Sequence, residues 1–153
     1  MIDASLRASI VNLLRELRDD KGLSIIYITH DLATAYQVAD NIIVLYRASV
    51  AEAGDVERVV KTPQHPYTQL LVASIPQVST ERSWLEEPRV RQLEQVPAGS
   101  CKFVARCPVS MPICQRTAPP LFRTEARRVV ACFQYTDTGG TQPDALASVL
   151  ART

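Results

Sequence analysis

Residues 23–45, LSIIYITHDLATAYQVADNIIVL, place a lone histidine at the end of an apolar strand. Ile25, Ile26, Tyr27 and Ile28 form a β-branched and aromatic run without polar alternation, the pattern of a strand covered on both faces of a parallel sheet. Thr29, His30 and Asp31 break it, and Leu32, Ala35, Tyr36 and Ala39 resume at helical spacing. The polar trio therefore sits where strand becomes helix, the place where open α/β sheets bind ligands. An imidazole there can donate a hydrogen bond to a phosphate oxygen. A histidine that merely caps the helix or packs in a turn is the structural alternative.

Working outward, residues 4–20 predict an amphipathic helix with Leu6, Ile10, Leu13, Leu14 and Leu17 on a core-facing stripe, closed near Gly22. A strand at 24–29, a helix at 32–39 and a strand at 41–46 follow the βαβ habit of a parallel α/β sheet with an exposed apolar edge. Residues 56–77 predict two short helices hinged at Thr62-Pro63-Gln64-His65-Pro66, with Val56, Val59 and Val60 before the hinge and Leu70, Leu71 and Ala73 after it. His65, between two prolines, is expected to be structural. Residues 78–97 have the composition of a linker, pinned to a surface by Trp84 and Leu85, and 136–153 form a tail.

Composition narrows the function. Seventeen basic and sixteen acidic residues are interspersed in a chain of 153, with no basic tract interleaved with aromatics, which argues against a nucleic-acid partner. No apolar run approaches the roughly 20 residues that span a bilayer, and no signal peptide is evident, so a cytosolic protein is expected. None of the five glycines belongs to a G-x-x-x-x-G-K-[ST] loop. A backbone cradle for phosphates and the lysine beneath it are therefore missing from these residues.

Residues 1–54 closely resemble the nucleotide-binding domain of ABC transporter ATPases from the D-loop onward. Asp3 matches the aspartate closing the D-loop, with Met1-Ile2 in place of the usual Ala-Leu. His30 matches the switch histidine, which in that family contacts the γ-phosphate and the attacking water, and Asp31 follows as the family expects. The hairpin that in the family reads Met-Tyr-x-Gly-Arg-Ile-Val-Glu-x-Gly stands here as Leu45-Tyr46-Arg47-Ala48-Ser49-Val50-Ala51-Glu52-Ala53-Gly54, with Ala48 replacing the turn glycine. The family's Leu-Ser-Gly-Gly-Gln signature does not occur, and its strand ending in Asp-Glu would lie before residue 1. His65-Pro66-Tyr67-Thr68 resembles an element that follows the ATPase core in the peptide-transporter branch.

All four cysteines lie between 101 and 132, spaced Cys101-x5-Cys107-x6-Cys114-x17-Cys132. Four thiols confined to one stretch of a reducing cytosol point to a metal rather than to disulfides. Soft thiolates suit Zn²⁺ or an iron–sulfur cluster, and the spacing, which lacks Cys-x2-Cys knuckles, does not separate them. Buried cysteines acting as small hydrophobes are the remaining alternative. Cys101-Lys102-Phe103-Val104-Ala105-Arg106-Cys107-Pro108, Cys114, Pro119-Pro120-Leu121 and Val130-Ala131-Cys132 resemble the cysteine-rich C-terminal extension of the oligopeptide and dipeptide importer ATPases. Members often have Gly-His where this chain has Ala126-Arg127. In the dipeptide branch such an extension holds a [4Fe-4S] cluster, so the resemblance implies Cys101, Cys107, Cys114 and Cys132 as ligands.

The resemblances together imply an α/β fold: the C-terminal remnant of a P-loop NTPase domain over 1–55, a helical connection over 56–77, a linker over 78–97, the cysteine-rich region over 98–135 and the tail. They imply an ATP-binding fragment of a di- or oligopeptide importer, with Asp3 and His30 at the nucleotide and His30 catalytic. ATP would bind only with the missing half, and the chain alone is expected to be inactive. A second ATPase subunit and membrane permease subunits are the implied partners, at the inner face of the cell membrane. A non-catalytic metal- or iron–sulfur-binding interaction module is the competing function.

Overall fold

In the computed structural model, which describes residues 4–75, 96–138 and 145–150, the first helix, α1, runs Ala4–Lys21. Arg18 and Lys21 occupy its last turn, where cations suit the carbonyl end of the helix dipole. Gly22, at φ +62°, supplies the left-handed exit. The chain divides into two units, Met1–Asp40 and Asn41–Thr153. Asp3 and the expected linker as far as residue 95, with Trp84 and Leu85, lie outside the described residues.

The first unit corrects two expectations. The α1 stripe is not a core face: Leu6, Ile10 and Leu13 are exposed, Leu14 and Leu17 are half-buried, and Val11 is the buried residue. Nor do residues 24–29 form a strand. An all-apolar strand needs neighbours on both edges to bond its backbone, and no described segment pairs with it. Ile26 and Ile28 are instead 93% and 92% exposed. The chain becomes regular again at α2 (Leu32–Val38). Asp31 caps that helix, accepting from the Ala33 and Thr34 amides at 3.0 and 3.3 Å and from Thr34 Oγ1 at 2.5 Å. Arg18 donates to the Val38 carbonyl at 2.8 Å, fastening α1 to the end of α2.

The second unit is built on a four-stranded sheet that is antiparallel throughout, correcting the parallel expectation. Its first two strands, β1 (Asn41–Tyr46) and β2 (Ser49–Asp55), form a hairpin. The two-residue connection, Arg47 and Ala48 at φ +47° and +59°, returns the chain at once and leaves no room for a crossover. Two short helices follow, α3 (Val56–Lys61) and α4 (Pro66–Ala73), hinged where the prolines stand.

The sheet is completed from the cysteine-rich region by β3 (Phe122–Glu125) and β4 (Arg128–Val130), in the order β1-β2-β4-β3. β4 pairs with β2 at Glu52↔Val130, Ala53↔Val129 and Gly54↔Arg128. Gly54 is required by this approach, since a Cβ there would stand 2.4 Å from the Arg127 carbonyl oxygen. One core joins Val44, Ala51 and Val59 with Tyr46, Tyr67 and Leu71. Another joins Ala53 and Val129 to Val149 of α5 (Ala145–Leu150), a helix within the stretch expected as a tail.

Candidate functional site

Antiparallel pairing with β4 carries Glu52 of β2 into the interior of the second unit. Its side chain is fully buried, and so is that of Arg128. Arg128 donates to Glu52 Oε1 from Nε at 2.9 Å and from Nη2 at 2.6 Å. The remaining guanidinium donors go to the Thr62 carbonyl, to Thr62 Oγ1 at 3.2 Å and to Glu125 Oε1 at 3.3 Å. Glu52 also accepts the Gln64 amide at 3.2 Å on each oxygen and the His65 amide at 2.9 Å. A buried ion pair is tolerated when its other donors and acceptors are filled in this way.

That carboxylate sets the start of α4. Pro66 occupies the first helical turn, where its missing N–H costs nothing, and His65 is the cap, its Nδ1 accepting the Tyr67 amide at 3.0 Å. His65 is buried, and burial pushes it down to about 4, against a hydrogen bond to the Ala131 backbone that works the other way. The structural role expected for His65 is the one it has. Phe103 fills the space beside it, with ring centroids 5.9 Å from His65, 5.2 Å from Tyr46 and 5.6 Å from Tyr67.

Behind Phe103 lies an apolar pocket whose wall includes His65 and all four cysteines. Cys101 donates its amide to the Cys114 carbonyl at 2.9 Å, Cys107 closes a 3₁₀ turn at Val104–Arg106, and Cys132 follows the end of β4. Every pair of these thiols is close enough to interact electrostatically. Burial raises the Cys101 and Cys132 thiols and pushes Cys107 up to about 11, and neighbouring thiols add to each rise. Among the described residues no group of three or more His, Cys, Asp or Glu side chains is arranged to hold a metal ion. The donor set nonetheless fits the implied group: four soft ligands face one pocket, with no carboxylate in its wall. A cubane cluster also holds its thiolates farther apart than a single ion does.

His30, in the first unit, ends the irregular segment just before the cap of α2, and its side chain is exposed. Asp3 is outside the described residues. The cysteines, by contrast, meet at one place. Glu52 and Arg128 are the residues with an organising role that the sequence motifs leave unassigned. Two signals could have marked Glu52: it stands at the Glu of the Met-Tyr-x-Gly-Arg-Ile-Val-Glu-x-Gly pattern, and it is an acid set among alanines on a strand, SVAEAGD. Arg128, the second of an Arg-Arg pair, has none. Among the described residues no helix is long and apolar enough to cross a membrane.

Comparison with known proteins places the chain among peptide-transport sequences. Residues 51–114 match the family described as oligopeptide/dipeptide transporter, C-terminal region. The chain is 34% identical over 143 residues to the oligopeptide transport ATP-binding protein AppD of Bacillus subtilis, covering 92% of this chain and 43% of that protein. It is 34% identical over 140 residues to the oligopeptide transport ATP-binding protein OppF of Escherichia coli, covering 87% and 41%. With the dipeptide transport ATP-binding protein DppF of Haemophilus influenzae it shares 32% over 137 residues, covering 86% and 41%. The chain thus spans about two fifths of the length of these relatives. Residues 51–114 carry the C-terminal region of the oligopeptide/dipeptide transporter family, and the chain along most of its length is similar to ATP-binding proteins of oligopeptide and dipeptide transport.

Proposed function

We propose that this chain is part of an ATP-binding subunit that energises uptake of di- or oligopeptides across a membrane. The observation that carries the reading is the similarity to peptide-transport ATP-binding proteins along nearly nine tenths of the chain or more. His30 acts as the switch histidine, and its exposed side chain is free to meet the γ-phosphate of a bound nucleotide. Asp3 lies at the interface with a second ATPase subunit, and permease subunits receive the work at the cytoplasmic face. Phosphoryl transfer depends on positioning and charge stabilisation, and these residues contain no phosphate loop. The chain by itself is therefore inactive, and ATP binds where the remainder of the domain is supplied.

Cys101, Cys107, Cys114 and Cys132 hold a [4Fe-4S] cluster in this proposal, with zinc the alternative. Their shared pocket supports it. The cluster would supply a cross-link among segments distant in sequence. Anaerobically purified protein is expected to be brown, with iron and sulfide near four each per chain, and Cys132→Ser should bleach it about as fully as Cys107→Ser. Zinc at about one per chain without sulfide would favour a four-thiolate zinc site. No metal would return the cysteines to packing. Magnesium-dependent ATP turnover by the 153-residue chain alone would overturn the reading of inactivity.

A further inference from the structure

The apolar residues of β4 leave its register open. Val129 and Val130 point to opposite faces of the sheet, yet both are fully buried, and Ala131 beyond them is buried as well. Register is well specified where one face is apolar and the other polar, because a one-residue slip then turns the apolar set outward. In β4 a slip exchanges one buried valine for another. The pairing of β4 with β3 is itself irregular, with a shift between Arg123 and Glu125.

Arg128 tells one register from the next. It stands opposite Gly54 while Glu52 stands opposite Val130, so the pair spans a diagonal of one face across a position with no side chain. Arg128 gives Nε and Nη2 to Glu52 Oε1 at 2.9 and 2.6 Å, and Nη1 to Thr62 Oγ1 at 3.2 Å. A slip of one residue would carry the guanidinium about 3.4 Å along β2 and onto the other face, parting two buried charges. The ladder runs on from this register: Ala131 N–H reaches the Ala51 carbonyl at 2.8 Å, and Cys132 follows, in the pocket wall with Cys101, Cys107 and Cys114. A displacement of about 3.4 Å is large against the roughly 0.2 Å within which metal–ligand distances are held.

We infer that Arg128 and Glu52 are positioning residues for the fourth thiol: their pair fixes the register of β4 on β2 and so delivers Cys132 to the pocket. Setting a register is the best-attested use of a buried polar or ionic pair, whose net contribution to stability is small. The inference rests on the reading that the four thiols form one site.

Two variants of the full chain test it. Glu52→Met with Arg128→Leu removes both charges, and Glu52→Gln keeps the shape of the carboxylate without its charge. In reduced, metal-free protein, hydrogen exchange of the Ala131 amide followed by NMR, and N-ethylmaleimide labelling of Cys132 read by peptide mass spectrometry, should both speed up about tenfold or more, the scale of a lost charge-assisted hydrogen bond. Cys101, Cys107 and Cys114 should keep their labelling rates. After anaerobic reconstitution with Fe²⁺ and sulfide, the double variant should lose iron to a chelator at about a tenth of the concentration that wild type withstands. Wild-type rates at Ala131 and Cys132 in the double variant, or in Glu52→Gln should the double variant not unfold cooperatively in urea, would overturn the inference, as would equal acceleration at all four thiols. Failure of wild type to take up iron and sulfide would overturn the cluster reading instead, and the exchange and labelling rates would still decide whether the pair sets the register.

Discussion

Arg128 of β4 meets Glu52 of β2 through two donors on a single carboxylate oxygen, at 2.9 and 2.6 Å, with neither side chain in contact with solvent. Breaking such a pair strands a charge. Glu52→Ala or Arg128→Ala should each cost about 3–5 kcal/mol of stability. The double replacement Glu52→Met with Arg128→Leu should cost less than the sum, because no charge is left buried, although the Gln64 and His65 amides lose their acceptor. Urea unfolding of the two single variants and the double one, as a mutant cycle, measures this.

The hairpin turn offers the opposite sign. Arg47 and Ala48 both hold left-handed conformations that disfavour a residue with a Cβ by roughly 1–2 kcal/mol each. Ala48→Gly should therefore raise stability by about 1 kcal/mol. Gly54→Ala should lower it by more than that, since the new methyl would meet the Arg127 carbonyl. Thermal unfolding of both variants reads the two directions side by side.

His30 should matter to turnover and little to folding. Its side chain is exposed, so His30→Ala should leave unfolding of this chain nearly unchanged. In the protein that carries its phosphate loop, the same change should cut ATP turnover by about 10² or more, the scale of losing one oriented transition-state group. Unaltered turnover would make His30 a structural residue.

Glu125 sets a modest acid dependence. The Arg58 guanidinium, 2.5 Å away, holds its carboxyl below the ordinary 4.5, with Arg128 adding to the effect. The unfolded chain binds the proton more readily, so stability rises with pH across this window. The contribution is complete above about 4.5 and is lost as pH falls through the lowered value. Both partners are partly exposed, which limits its size. Glu125→Gln should flatten the acid side of the stability profile, below about pH 5, measured by urea unfolding at each pH.

Local signals were legible where one segment decides its own structure. The helix at 4–20, the hinge at Thr62-Pro63-Gln64-His65-Pro66 and the strand at 41–46 appear within a residue or so of their expected bounds. The run Ile25–Ile28 was misread as a formed strand because apolar, β-branched residues state a preference that is realised only when neighbours bond the backbone. One part of the antiparallel sheet was legible: the resemblance puts a hairpin turn at Ala48, where β1 and β2 meet. The pairing of β2 with β4 joins residues more than seventy positions apart and was hidden. The convergence of the cysteines could be suspected from their clustering. The Glu52–Arg128 pair could not, since partners at that separation leave no periodic trace.

The order β1-β2-β4-β3 has a directional consequence. β2 and β4 are bonded on both sides, so any strand that enlarges the sheet must join at β1 or at β3. The two ends differ in chemistry. β3 is largely committed to polar contacts, Arg123 with the Ala126 carbonyl and Ser148, Thr124 with Gln64, Glu125 with Arg58. β1 presents the exposed Ile43 and Leu45. The two edge strands thus carry different side chains, exposed apolar ones on β1 and paired polar ones on β3, the terminal strand supplied by the cysteine-rich region.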